Sequence, residues 1–520
     1  MEIHKPAHVV LLSSPGLGHL IPFIELGNRF ALHHNLKVTV IAVTSETSAA
    51  ETQLIKSATK PNLINIIQLP SQDISHLIKP DAAVVTRLCV MMREAKPAIR
   101  TSLSNMTPQP SVFIVDIFGT ESLPIAKDFN LLNYVFVASH AWFLSLVIYT
   151  PVLDKQIEGQ YVEQQEELKI PGCRSVRPEE VVDPMLDRND MQYEEYLGVG
   201  NGIPKSDGVL INTWEELQHS DLQALRDEDL LGGILNKIPV YGIGPIARQP
   251  VSETSQETEL VLQWLDKQPS ESVIYVSFGS GGTMSFEQMT ELAWALELSE
   301  QRFIWVVRAP TEVAADAAFL STGFTSNSDD NNEVVANYLP EGFLSRTHNV
   351  GILVLEWAPQ EAILRHPSIG GFLSHCGWNS TIESLTNGVP MIAWPLYAEQ
   401  RMNATLLAEE MGVAVRPKVL PLKKVVDREE IASMVREIMV VDQNAKGNPI
   451  RERVKEIKNS AEKALLEGGS SRVAMSEVLL TAKDHCRACK RKNRRLELHL
   501  HVLELGRVSH WLHWQHTDVL

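Results

Sequence analysis

Short, β-branched apolar runs, each followed by a stretch with helical spacing, recur along almost the whole chain and restrict what it can fold into. The first half carries HVVLLSS, KVTVIAV, INIIQL, SVFIVD, NYVFVAS and GVLINT; the second carries SVIYVSF, FIWVVR, GILVLE, IGGFLS, PMIAW and VAVR. Runs so uniformly apolar need both faces covered, and parallel strands joined through helices provide that cover. The expectation is an α/β protein with two parallel sheets. A single core rarely grows past about 250–300 residues, and this chain has 520, so length also argues for two domains. The polar stretch IARQPVSETSQETE, which follows PVYGIGP, has no apolar periodicity. It divides the chain into a first domain over 1–245, a linker over 246–260 and a second domain over 261–482. A further polar stretch around 310–337 is expected to be a mobile surface loop.

Composition excludes several classes of partner. A net charge of -17 argues against nucleic acid or an anionic membrane as the main partner, so small molecules are expected instead. No run of 18 apolar residues occurs, and the start MEIHKPAHVVLLSSPG has an acidic second residue, a proline and too short an apolar stretch for a secretion signal. A cytoplasmic monomer without stable membrane insertion is expected. The five cysteines, Cys89, Cys173, Cys376, Cys486 and Cys489, are scattered as reduced thiols would be.

The densest chemistry lies in WAPQEAILRHPSIGGFLSHCGWNSTIESLTNGVPMIAWPLYAEQ, Trp357 to Gln400. Trp357 ends an apolar strand, where its indole suits stacking of a nucleobase, worth about 1–3 kcal/mol. Ala358-Pro359-Gln360 then opens a short helix. After the strand IGGFLSH, the residues His375, Cys376 and Gly377 lead into the helix NSTIESLTNG, whose first turn offers unpaired N–H groups and a positive dipole end. A diphosphate fits there. His375, Asn379 and Ser380 add side-chain donors, and Glu383 can accept from both hydroxyls of a ribose. The plainer alternative is that Ser380 and Glu383 form a capping box, with Asn379 as N-cap and Gly388-Val-Pro390 as helix stop.

The whole segment resembles, almost letter by letter, the donor-binding signature of plant family 1 UDP-glycosyltransferases. The resemblance spans about residues 6–480 and implies the GT-B fold, two facing Rossmann-like domains with an interdomain cleft. The first domain would hold the acceptor and the second the UDP-sugar. The helical segment NPIRERVKEIKNSAEKALLEGG would pack back across both. The resemblance also implies that Glu399 and Gln400 hold the sugar's hydroxyls, with a terminal Gln accompanying glucose. It places Ser139 where relatives use Thr to touch the sugar, His140 being a departure. Trp378 would meet phosphate or sugar, or else simply pack.

In the first half, HVVLLSS runs into Pro15-Gly16-Leu17-Gly18-His19, setting His19 at a strand-to-helix turn. An imidazole there can take a hydroxyl proton near neutrality, or it merely caps the helix. Asp116 ends SVFIVD; the resemblance implies that it pairs with His19, whereas a buried carboxylate satisfying loop amides is the alternative. The expected reaction is an inverting displacement, in which His19 deprotonates an acceptor hydroxyl that attacks the anomeric carbon of an α-linked UDP-sugar. Charge on departing UDP would be met by His375, Asn379, Ser380 and the Ser280 turn of VSFGSGGT, a glycine-rich nest or an ordinary tight turn. The resemblance implies no cofactor and no metal: Asp227-Glu-Asp229 reads as a solvated helix surface.

Phe118, Trp142, Phe143, Tyr149 and Ala398 are candidates to line an apolar acceptor pocket. VDIFGTES, YTPVLDK, LKIPGC, VLINTWEEL, SFGSGGT and IAWPLYAEQ are most similar to the branch acting on monolignols, hydroquinone and other phenolics, beside anthocyanidin 3-O-glucosyltransferases. A small phenolic acceptor is therefore expected. Residues 483–520, with KRKNRR, depart from that pattern and read as an atypical disordered tail, in which Cys486, Cys489, His499 and His501 lack standard zinc spacing. Two rivals remain: a UDP-sugar-binding protein without turnover, and a dinucleotide oxidoreductase, for which Ile21 stands in place of the third glycine.

Overall fold

Two separate parallel sheets are built from the apolar runs. The computed structural model describes residues 8–45, 49–58, 63–248, 256–310, 338–355, 357–421, 424–440 and 448–485. The first sheet contains β1 (His8–Ser13), β2 (Lys37–Val43), β3 (Asn65–Leu69), β4 (Val112–Asp116), β5 (Leu132–Val137), β6 (Val209–Ile211) and β7 (Val240–Gly242), in the order β3-β2-β1-β4-β5-β6-β7. The second contains β8 (Val273–Ser277), β9 (Arg302–Val307), β10 (Gly351–Leu355), β11 (Ile369–Ser374), β12 (Met391–Ala393) and β13 (Ala414–Val415), in the order β10-β9-β8-β11-β12-β13. Every residue of β1, β4, β5, β8 and β11 is buried, as central strands covered on both faces must be.

The strand order fixes where chemistry can sit. In each sheet it reverses once, between β1 and β4 in the first and between β8 and β11 in the second. At such a reversal the loops leaving the two strands diverge and open a crevice at their carboxyl ends. Leu12 pairs with Val115, so Asp116 lies level with the end of β1; Ser277 pairs with Ser374, so Phe278 and His375 leave their sheet together.

Several hydrogen bonds join the two halves near these crevices. The Trp378 indole N–H donates to the Asn212 carbonyl at 2.8 Å, the Asn379 amide to Gly18 O at 2.9 Å and the Ser139 hydroxyl to Glu399 Oε1 at 3.1 Å. Farther off, the Trp214 indole donates to Ser460 Oγ at 2.7 Å. Ser460 lies on the helix Pro449–Leu465, whose Val454, Ile457, Ala461 and Ala464 are buried. The segment expected to span both domains thus does reach the first through Ser460, and the next helix, 470–485, extends that return. Its Met475, Val478, Leu479 and Ala482 pack in one cluster with Leu36, Val38, Ile114 and Tyr134. Pro449–Leu465 also packs on the helix Trp378–Asn387 of its own domain.

Among the described residues no helix is long and apolar enough to cross a membrane, and Cys89, Cys173 and Cys376 are free. The expected loop at 311–337, the middle of the linker (249–255) and the cysteine–histidine part of the tail, 486–520, lie outside the described residues.

Candidate active site

The first crevice holds an oriented imidazole. The helix Leu17–His34 starts directly after β1 and its turn, and the buried Glu51 takes the Gly16 backbone N–H at 2.5 Å, fixing that turn. His19 Nδ1 lies 2.9 Å from Asp116 Oδ2. The other Asp116 oxygen accepts from Ser14 Oγ at 2.8 Å and from the Phe118 backbone N–H at 3.1 Å. Asp116 is thereby fixed at both oxygens; its carboxylate assigns the proton of neutral His19 to Nδ1 and leaves Nε2 as the basic atom. Burial disfavours protonation of His19, but Asp116, with Glu399 and Glu51 farther away, outweighs it and raises the imidazole pKa above its ordinary value. Phe118 packs its ring edge-on to His19, with centroids 5.3 Å apart.

The second crevice is shaped around His375. Gly279 and Gly377 lie so close to its ring that a Cβ on either would fall within 2.4 or 2.5 Å of Nε2. Cys376 between them takes a positive φ of 64°, which turns the chain into the helix Trp378–Asn387. Burial, helped by the charge on Arg308, drives the His375 pKa down to about 3, so the ring is neutral; its Nδ1 is buried without a hydrogen-bond partner. The helix N-cap is Gly377, without a side-chain cap. The alternative with Asn379 as N-cap and a Ser380–Glu383 capping box is thus corrected, because the cap lies two residues before Asn379 and puts both Asn379 and Ser380 inside the first turn. Helix geometry leaves the first-turn N–H groups without intrahelical acceptors. Ser380 and Glu383 are instead bridged by Gln360, whose Nε2 donates to Ser380 Oγ at 2.9 Å and to Glu383 Oε2 at 2.7 Å. Burial pushes the Glu383 carboxyl up to about 7, against the pull of the Gln360 bond.

A single cavity of about 510 Å³ connects the two crevices. It is lined by His19, Asp116, Phe118, Ser139, Ser280, Trp357, Ala358, Gln360, His375, Trp378, Asn379, Ser380, Glu383, Ala398, Glu399 and Gln400. Trp357 is 46% exposed, an unusual state for an indole and one that suits stacking against a planar ligand. Some expected contacts are already occupied. The Asn379 amide nitrogen and the Trp378 indole are bonded across the domains, so of these two residues the first-turn backbone is what remains for an anion.

Trp142 does not belong to this lining. Its side chain is 1% exposed and its indole N–H donates to Arg174 O at 2.9 Å, so the expectation that it contacts an acceptor is corrected to a core role. It sits in the first turn of the helix Ala141–Gln156, which is apolar all round, so sequence periodicity could not tell cleft from core. Its neighbour Phe143 does line the cavity. Sequence reading passed over Ser14, Glu51, Asp183, Arg308 and Arg401. Arg308, just past β9, lines the cavity and donates to Gly279 O at 2.5 Å, which brings a permanent cation to the turn holding Ser280. A lone arginine after a strand offers no spacing signal by which it could be found.

Two facing Rossmann-like domains, one presenting a histidine–carboxylate pair and the other an exposed indole, a buried glutamate and an open helix terminus, define a nucleotide-sugar transferase of the GT-B fold. Residues 234–448 match the family described as UDP-glucoronosyl and UDP-glucosyl transferase. Anthocyanidin 3-O-glucosyltransferase 5 of Manihot esculenta is 58% identical over 470 residues, 90% of this chain and 94% of that protein. The structure of TcCGT1 in complex with UDP superposes with a TM-score of 0.84 at 46% identity, covering 92% of this chain and all (100%) of that one. Phytolacca americana UGT2, complexed with UDP-2fluoro-glucose and pterostilbene, gives a TM-score of 0.78 at 35% identity over 92% of this chain and 100% of that one. The chain belongs to the plant family 1 UDP-glycosyltransferases, and it is a glycosyltransferase; the oxidoreductase reading falls.

Proposed function

We propose that the protein transfers glucose from UDP-glucose to a hydroxyl of a small phenolic, such as a phenylpropanoid, hydroquinone, flavonoid or anthocyanidin, with inversion to a β-glucoside. The observation that carries this reading is the His19–Asp116 pair, at 2.9 Å, opening into the same cavity as the set from Trp357 to Gln400. Uracil stacks on Trp357, the ribose hydroxyls donate to Glu383, and the diphosphate lies against the first turn of Trp378–Asn387 beside His375, Ser380 and Ser280. Glu399 and Gln400 hold the sugar. His19 Nε2 takes the acceptor proton as the acceptor oxygen attacks the anomeric carbon; the bond from that carbon to the UDP oxygen breaks, and UDP leaves with the electron pair. Asp116 stabilises the imidazolium as it forms.

Phe118 beside His19, with Phe143 across the lining, suits a flat aromatic acceptor, and the anthocyanidin-named relative and the pterostilbene-bound structure support that class. Charge on departing UDP is met by Arg308, the helix terminus and neutral hydrogen-bond donors, so no metal is required in this scheme. The test is incubation with UDP-glucose or UDP-galactose and a panel of phenols, with and without chelator, read by mass spectrometry. A phenolic hexoside formed from UDP-glucose in preference to UDP-galactose, and undiminished by chelator, is expected. Absence of any hexoside sinks the assignment, and loss of activity in chelator sinks the metal-free scheme.

A further inference from the structure

The first domain sends an irregular strap, residues 174–183, across to the helix that begins at Gln400. Arg174 and Arg177 both pair with Glu409, and Arg174 also with Glu410. The Thr405 hydroxyl donates to Glu180, and Arg401 Nε donates to the Val181 carbonyl at 3.0 Å. The strap ends at Asp183, where one carboxylate oxygen pairs with the Arg401 guanidinium and the other accepts the Ala398 backbone N–H at 2.7 Å. Arg401 is only 6% exposed, so this partner neutralises a charge that would be costly to bury alone. Ala398 has φ 55°, a conformation alanine rarely adopts and one that persists where its surroundings impose it.

Glu399 and Gln400 follow directly. Gln400 Oε1 already accepts the Leu396 and Tyr397 N–H groups at 2.9 and 3.1 Å, which leaves its NH2 group to meet a ligand. Thus the turn presenting these two side chains is fixed from outside its own domain. We propose that Asp183 is a positioning residue for the sugar-binding turn: by holding Ala398 and Arg401 it orients Glu399 and Gln400, so that a strap on the acceptor side governs affinity for the donor's sugar. This rests on reading the cleft as a UDP-sugar site. The uridine end, at Trp357, Gln360 and Glu383, has no bond to the strap, and that separation makes the idea testable.

The measurement is calorimetric binding of UDP and of UDP-glucose to the full chain and to Asp183→Asn, with KM for UDP-glucose alongside. Expected is a UDP Kd within about twofold of wild type, while Kd and KM for UDP-glucose rise by about tenfold or more, the scale of losing one partner of a part-buried charge pair. Parallel weakening of UDP and UDP-glucose, or no change in either, overturns the proposal. Wild-type protein that binds no UDP would instead overturn the parent reading of the cleft. If Asp183→Asn does not fold, Asp183→Asn combined with Arg401→Met removes the stranded cation, and the same sugar-selective loss is expected of it.

Discussion

Asp116 holds His19 through one oxygen, at 2.9 Å from Nδ1, while Ser14 and the Phe118 backbone hold the other. The imidazole is thus oriented before any substrate arrives, and the consequence for turnover follows from which atoms are fixed. In Asp116→Asn the Ser14 and Phe118 donors keep an oxygen on their side, which turns the new NH2 toward His19 Nδ1 and moves the ring proton to Nε2. Turnover should fall by about 10²–10⁴ with UDP binding retained. A pH series adds a sign. Asp116 helps raise the His19 pKa, and the base must be neutral, so kcat/KM should decline as pH drops through that value. In Asp116→Ala the residual activity should keep its acid limb but at lower pH; an unmoved limb would show that His19 is not the titrating group.

Glu383 carries a second pH signature. Its carboxyl sits at about 7 because it is buried, and ribose hydroxyls donate to the ionised form. UDP affinity should therefore increase as pH rises through about 7, with a proton released on binding below it. Calorimetry in buffers of differing ionisation enthalpy reads that proton directly. Glu383→Gln should bind UDP about 10-fold or more weakly, the scale of losing hydrogen bonds to a charged group, and the pH dependence should flatten.

Arg308 bears on the phosphates. Its bond to Gly279 O places a cation at the Ser280 turn, beside where the diphosphate is proposed to lie. Arg308→Gln should weaken UDP by about 10-fold, as one charge-assisted contact is lost, while uridine binds as before. Equal losses for UDP and uridine would assign Arg308 to shaping the pocket alone.

Much of this arrangement was legible in the amino-acid order, for reasons that differ by element. Central strands such as β1, β4 and β8 read clearly because both their faces are buried. The edge strand β7 did not, since Val240–Gly242 is three residues long, preceded by Pro239 and ending in a glycine. Donor-side residues were legible because they fall in one continuous segment, Trp357 to Gln400, where strand ends and a helix start carry their own punctuation. His19 and Asp116 could each be placed at a strand's carboxyl end and the family resemblance implied their pairing, but the physical reason they meet, β1 and β4 being neighbours, comes from the sheet order. Asp183, Arg401 and Glu51 act across long chain separations without periodicity, and no local pattern marks them.

Trp142 separates packing from binding. Because its indole is buried and bonded to Arg174 O, Trp142→Ala should cost about 3–5 kcal/mol of stability, as large core truncations do. Chemical denaturation measures this. Phe118→Ala, at the cavity wall beside His19, should instead raise the acceptor KM while leaving stability closer to wild type. A rise in acceptor KM for a stable Trp142→Ala would return Trp142 to the pocket.

The most direct test of the account is His19→Ala, with turnover of UDP-glucose and a phenolic acceptor measured beside the UDP dissociation constant. Loss of a general base predicts turnover reduced by at least about a hundredfold, with UDP bound as tightly as by the wild type. Turnover within a few-fold of wild type would contradict it.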